Sequence, residues 1–557
     1  MSAACGELAL VLHTHVPYLK GHGVWPVGEE WLFQAWAGSW LPVTRALERL
    51  AEDGARDVLT LSVSPLVAHQ TRDPHLAREL AGWIEAQVWR AEEQRWHASM
   101  GPEVQALGPH WWRHFRDLAD LHADVERRGG LTAVWAALAR EGVIELLGGP
   151  ATHPYLPLVA DPSLIDAQLA AGLAEHAAWA GSAPRGLWPP ELGHRPRSAV
   201  ADPTAEPLTV DGDGTPALPR HGPQLPGLEE HYARHGITHV VVDGPTLVRA
   251  AGGAERDWTV RPERSDPSTA GADEVVHDGV LIGESEVVAF GRDLSVAYHV
   301  WSPTAGYPGD AWYRDLYATG GFGVHPSWRV TDRTLPPDAK APYVPAAARR
   351  SLVRDVDHIV GVLHATLDPR PGGLVVAAYD TELFGHWWHE GADWLEALLR
   401  RVEDDATLVT TTLASRLERR PPTRRLELPE SSWGYAKGHA SWVTPATRPL
   451  WATLRAAEDR ARAALAGGRG GSPARAAVAR ELALLSASDW WFMTTRGGTG
   501  DYAAARVATH AERLERWCAA IASGPEAERR LADELGDADD APREPEALVR
   551  ALDPSGA

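Results

Sequence analysis

Eight short apolar runs recur along the chain as far as Tyr379: Glu7 to Leu12, Val58 to Ser64, Val143 to Gly149, Gly186 to Trp188, His239 to Asp243, Val287 to Phe290, Val296 to Trp301 and Leu374 to Tyr379. Most lack the apolar–polar alternation of a strand with one wet face, so they predict strands buried on both sides, as in a parallel sheet covered by helices. Between them, Pro162 to Ala180 and Arg349 to Leu367 place their large apolar residues at helical spacing. Repeated strand–helix units of this kind build an α/β barrel or a doubly wound sheet. Polar or aromatic clusters decide between the two. HTHVPY, GGPATHPY, PPELGH, WSPTAGYPGD and DTELFGHWWHEG each follow a run, and a barrel brings all such positions onto one rim.

Ala201 to Pro226 and Glu255 to Asp278 are rich in Pro, Gly and Asp and read as inserted surface loops. Beyond Glu403 the strand signal fades, and Thr447 to Ala466, Pro473 to Ser486 and Tyr502 to Ala522 carry amphipathic helical patterns. The last stretch, from Pro525, is acidic and predicts a short helix at Glu526 to Leu535 followed by a frayed tail. The expected organisation is a barrel with inserted loops and a helical subdomain over residues 1–402, a helical domain over 403–524, and a partly disordered tail over 525–557.

Charge narrows the partners. With 54 basic and 75 acidic residues the formal charge is −21, so nucleic acid or an anionic membrane meets a repulsive average field. Two cysteines, Cys5 and Cys518, cannot form a disulfide framework, and the apolar run Leu8 to Leu12 is shorter than a signal-peptide core. A cytoplasmic protein, monomeric or a small homo-oligomer, is expected. One composition figure stands out: 25 Trp against 11 Tyr and 6 Phe. An indole has a flat apolar face and a polar edge, which suits carbohydrate when half exposed; ordinary core packing is the competing reading.

Three residues at predicted strand ends and one loop acid carry the candidate chemistry. His13 and His15 alternate, so both rings face one side. They admit three readings: a metal site completed by His153 or an acid, hydrogen bonding to sugar hydroxyls and a catalytic carboxylate, or satisfied rim histidines. Glu191 stands behind two prolines that restrict its backbone, or is a solvated loop acid. Asp380 ends the most apolar strand, where an acid is expensive unless it works, pairs or caps the next helix. Two carboxyls on one rim suit retaining glycoside hydrolysis, in which one attacks the anomeric carbon and the other protonates the leaving oxygen. The acid needs a raised pKa, which Tyr379, Trp387 and Trp388 can supply by desolvation. The nucleophile needs to stay ionised, a task for Arg292, His13 or His15.

These residues carry a family resemblance. HTHVPY, GGPATHPY, WPPELGH, YDTELFGHWWHEG and SSWGYAKGHASW resemble, in order, the five sequence regions of glycoside hydrolase family 57, and WSPTAGYPGDAWYRDLY and SDWWFMTT resemble its α-1,4-glucan branching enzymes. The resemblance implies an incomplete (β/α)7 barrel with an all-helical C-terminal domain, Glu191 as nucleophile and Asp380 as acid/base, acting on an α-glucan donor and acceptor with no metal or organic cofactor. It also implies substrate-binding roles for His13, His15 and His153, sugar-stacking or gating roles for Trp25, Trp31, Trp301, Trp433 and Trp442, and cleft-bordering positions for Arg292 and Asp489. The chain departs from the family's branching enzymes at two places. No Tyr lies between Tyr232 and Tyr298, where those enzymes carry a loop tyrosine over the site, and ELGH stands where ECGY or ECAY is common. The first departure motivates the alternative of an amylase-like hydrolase; the H-x-H pair motivates a metal-dependent deacetylase, and the altered loops an inactive glucan-binding protein.

Overall fold

The structure, a computed structural model, describes residues 6–553 except 25–26, 98–99, 206–208, 211–215, 254–273, 303–304, 319–324, 467–469, 537–539 and 543–544. Seven strands run parallel around a barrel: β1 (Gly6–Thr14), β2 (Leu59–Val63), β3 (Ile144–Leu147), β4 (Gly186–Leu187), β5 (His239–Asp243), β6 (Val288–Arg292) and β7 (Leu374–Asp380). The ladders run β7–β1–β2–β3 and β4–β5–β6, and a bridge between Gly148 and Leu187 joins the two halves. At the other seam Asp293 N–H donates to Val376 O at 2.8 Å. No ladder joins β6 to β7 there among the described residues, so the barrel is incomplete.

One expected strand is a helix. Val296 to Trp301 is rich in β-branched and aromatic residues, which favours a strand by propensity alone. In the fold Asp293 accepts a bond from Val296 N–H at 3.0 Å and starts helix α2 (Leu294–Val300), which packs on β7. A good N-cap and tertiary packing outweigh the propensity. Pro162–Ala180, here α1, forms the helix that its spacing predicts.

Alternation along the strands divides the apolar residues between two cores. Ala9 and Val11 of β1, Val241 of β5, Val288 and Phe290 of β6, and Leu374, Val376 and Ala378 of β7 fill the barrel with Leu147, Trp188 and Leu192. Leu8, Leu10, Leu12, Val240, Val242, Val375 and Ala377 face outward and pack in the larger helix-side core.

The C-terminal helices are α3 (Arg448–Leu465), α4 (Ser472–Leu485), α5 (Asp489–Arg496), α6 (Tyr502–Ser523), α7 (Pro525–Leu535) and α8 (Pro545–Leu552). The three long ones lie where the helical patterns predict. The short helix expected at Glu526 to Leu535 is α7; beyond it, where a frayed tail was expected, α8 packs on α1 with Leu548 fully buried.

Candidate active site

The inward rows that are apolar in mid-barrel turn polar at the C-terminal ends of the strands. Continuing Ala9 and Val11 by two residues gives His13; continuing Val376 and Ala378 gives Asp380; the same step gives Asp243 on β5 and Arg292 on β6. His13 lies opposite Asp380 on one side and opposite Ser62 on the other. Asp380 stands at the N-cap position of the turn Thr381–Leu383 but makes no capping bond through its side chain, so the carboxyl is not spent on the backbone.

Glu191 reaches the rim differently. It follows β4 in a left-handed conformation, φ 62° and ψ 19°, and Leu192 after it has φ 50°. Non-glycine residues rarely adopt such angles unless their surroundings enforce them. The enforcement comes from the segment Ser431–Trp433. Ser431 and His194 bridge, and Trp433 N–H donates to Glu191 O at 3.0 Å. The side chain is held as firmly: Trp433 Nε1–H donates to Oε2 at 2.8 Å and the Ser488 hydroxyl donates to Oε1 at 2.9 Å. Both donors belong to the chain beyond the barrel.

Burial pushes both carboxyls up. Glu191 rises from 4.5 to about 7; the bonds from Trp433 and Ser488 pull it down, while the charges of Asp489 and Asp380 add to the rise. Asp380 rises from 3.8 to about 6, with His15 and Arg292 opposing the burial. This corrects two expectations. The free site raises both acids instead of only the proton donor, and Arg292 and His15 act on Asp380, while Glu191 depends on two neutral donors. Arg292 is committed elsewhere: its Nε and Nη2 each lie 2.8 Å from the fully buried Asp243, which also binds Lys437 at 3.0 Å. So anchored, its guanidinium lies 5.4 Å from the centre of the Trp433 ring.

The three histidines converge. His13 Nε2 and His153 Nε2 are 3.0 Å apart, His15 stacks on His153 with centroids 3.7 Å apart, and His13 stacks on Trp188 at 4.5 Å. His15 Nε2 lies 3.2 Å from Asp489 and Nδ1 3.0 Å from Ser64 Oγ. His15, His153 and Asp489 also place their ligand atoms within 4.8 Å of one another, the one such metal-capable group among the described residues. The ring planes of His15 and His153 are only 16° from parallel. An ion shared by two imidazoles lies in both ring planes, which these rings do not offer without reorientation.

The expected tryptophans divide. Trp301 is 47% exposed and leans on Trp387 at 5.7 Å. Trp433 meets Trp188 edge-on at 5.4 Å, and Trp31 is partly buried against the helix-side core. Trp442 is buried and stacks on Tyr155 at 4.3 Å, so in this structure its face serves the wall and not a sugar. Trp25 lies outside the described residues, as does most of Glu255 to Asp278. Ser62, Ser488, Asp243 and Lys437 went unread in the sequence. The signal for Ser488 was its place beside Asp489 in SDWW and that for Asp243 its inward position at a strand end; Lys437 carries no spacing pattern of its own.

The fold and the rim define a class: α/β-barrel proteins with two carboxyls at the C-terminal ends of their strands, one of them hydrogen-bonded by a helical domain. The comparisons identify which. Residues 9–268 match "Glycosyl hydrolase family 57", and residues 455–541 match "1,4-alpha-glucan branching enzyme, C-terminal". A probable 1,4-alpha-glucan branching enzyme of Mycobacterium tuberculosis is 34% identical over 96% of both chains. Two solved branching enzymes of this family superpose over nearly the whole chain. That of Pyrococcus horikoshii is 30% identical with TM-score 0.84, covering 99% of this chain and 97% of its own. That of Thermococcus kodakaraensis is 28% identical with TM-score 0.88, covering 99% and 96%. The chain belongs to glycosyl hydrolase family 57.

Proposed function

We propose that this protein is an α-1,4-glucan branching enzyme working by double displacement, with Glu191 as nucleophile and Asp380 as acid/base. Asp380 gives its proton to the glycosidic oxygen while Glu191 attacks the anomeric carbon, so the α-1,4 bond breaks and a glucosyl ester forms as the reducing-end fragment leaves. Asp380, now ionised, takes the proton of an acceptor 6-hydroxyl, which attacks the anomeric carbon and frees Glu191. The product is an α-1,6 branch. Only Asp380 changes role with its proton: the one it gives departs with the first fragment, and the one it takes from the acceptor hydroxyl restores it. The observation that carries the reading is the rim itself: two carboxyls, each pushed up by burial, of which one has both oxygens held by donors and the other spends nothing on capping.

Water at about 55 M competes for the ester, so transfer requires bound acceptor sugars and a covered site. Trp301, Trp387 and Trp433 supply aromatic surface for the first need. One observation favours a second reading, hydrolysis with little transfer: the absence of Tyr between Tyr232 and Tyr298. Proton NMR of amylose before and after treatment, run beside a reducing-end assay, separates them. New α-1,6 anomeric signals with few new reducing ends support branching; reducing ends without those signals reject it.

A further inference from the structure

Ser488 touches more than the nucleophile. Its Oγ lies 2.9 Å from Glu191 Oε1 and 3.0 Å from His153 Nδ1; His153 Nε2 lies 3.0 Å from His13 Nε2, and His13 Nδ1 lies 3.0 Å from Ser62 Oγ. All four are nearly sealed from solvent, Ser62 at 1% exposure, His13 at 3%, His153 at 5% and Ser488 at 0%. The chain crosses from barrel to helical domain at a point where the backbones are also joined, Ser488 N–H donating to His153 O at 2.9 Å beside a bridge between Pro154 and Ala487.

Proton counting gives this chain a single direction. An ionised carboxylate only accepts, so the one hydroxyl proton of Ser488 points at Glu191, and its oxygen accepts from His153 Nδ1–H. A neutral His153 then has only a lone pair at Nε2, so His13 donates from Nε2 and accepts at Nδ1 from the Ser62 hydroxyl. Burial, and the neighbouring imidazoles, hold both His13 and His153 well below the usual histidine range, which keeps the rings neutral as the counting requires.

We propose that Ser488 is a positioning residue for the nucleophile, the last link of a one-way hydrogen-bond chain, Ser62 to His13 to His153 to Ser488 to Glu191, by which the barrel rim fixes the carboxylate that attacks. The proposal rests on reading Glu191 as the nucleophile. A carboxylate held at one oxygen swings about its last torsion; held at both, by an indole on Oε2 and a hydroxyl on Oε1, it presents its free lone pairs in one orientation. The chain also fixes the tautomers of two histidines on the rim, so the pattern of donors and acceptors around the cleft follows from the charge on Glu191. Protonation of Glu191 reverses the chain link by link: the carboxyl donates to Ser488, and Ser488 to His153.

The test uses the full-length protein with Ser488→Ala and the near-isosteric Ser488→Cys, which keeps the shape and weakens the donor. Initial rates on amylose give kcat, KM and the pH profile of kcat/KM. Losing a bond to a charged acceptor lowers kcat roughly 10- to 100-fold in Ser488→Ala, with KM within about threefold and Ser488→Cys falling between it and the parent. The alkaline limb of the profile, set chiefly by the weaker acid of the pair, moves to higher pH by about half a unit or more, because the Glu191 carboxylate has lost a donor. A packing role does not move that limb. Should Ser488→Ala fail to fold, Ser488→Cys carries the same comparison. A kcat within twofold of the parent, or a loss with an unmoved alkaline limb, overturns the proposal. Glu191→Ala, assayed alongside with and without azide, keeps the two readings apart. If it retains unassisted activity, the nucleophile assignment falls. If it is inactive and azide restores turnover as a β-glycosyl azide while the Ser488 variants behave as parent, only the hydrogen-bond chain falls.

Discussion

Glu191, proposed as the nucleophile, shows what such a position costs. It combines a left-handed backbone with a carboxyl held above its usual range by burial, each unfavourable and each enforced by the chain around it. A carboxyl raised from 4.5 to about 7 in the folded state contributes its full stability below the unfolded value and loses it as pH rises through the folded one. Over that window the loss amounts to about 3 kcal/mol. Glu191→Gln removes the ionisation, so denaturant unfolding shows the variant more stable than the parent at pH 8 and close to it at pH 4.5; equal stability at both pH values counts against the burial argument. On the proposed mechanism the same pair sets the pH dependence of activity. Catalysis needs one proton on two carboxyls, with Asp380 near 6 and Glu191 near 7, so kcat/KM follows a bell with both limbs between about pH 5 and 8. The limbs belong to the pair and not to either residue. Asp380→Ala stalls substrates with good leaving groups at the ester, seen as a mass increase on the intact protein, and azide releases it as the α-glycosyl azide.

Among the elements, those set by periodicity were legible and those set by contacts were not. The α1 helix has its predicted ends, Pro162 and Ala180, because an Asp–Pro start and a following glycine mark them locally. The α2 helix was misread as a strand because its start depends on one cap, Asp293, and on packing against β7. Asp293→Ala loses that cap and lowers stability by about 1 kcal/mol, read as a fall in the unfolding midpoint. Composition likewise misjudged the end of the chain. Acidic residues dominate it, yet Leu548 is fully buried where α8 meets α1, and Leu548→Ala is expected to destabilise by about 2–5 kcal/mol. A denaturant midpoint unchanged from the parent contradicts this docking.

At the scale of the molecule the barrel and the helical domain share one site. Trp433 and Ser488 bind Glu191, Asp489 meets His15, and Lys437 completes the pair of Asp243 and Arg292. The sheet's alternation alone places His13, Asp380, Asp243 and Arg292 on the inner rim, so those positions were readable from strand spacing and the two acids from motif. Full activity in a chelator, measured on amylose, is the outcome expected of a site whose histidine nitrogens already have partners; loss restored by added metal speaks for the metal reading. What residue order determines by itself is local: which residues repeat at two or at 3.6, which begin a helix, and which acids end a strand. The partners of Glu191 lie 242 and 297 residues away in sequence, and hydrogen bonds and burial act over a few ångströms of space. Only the folded arrangement decides which carboxyl is held, by which donors, and at what proton affinity.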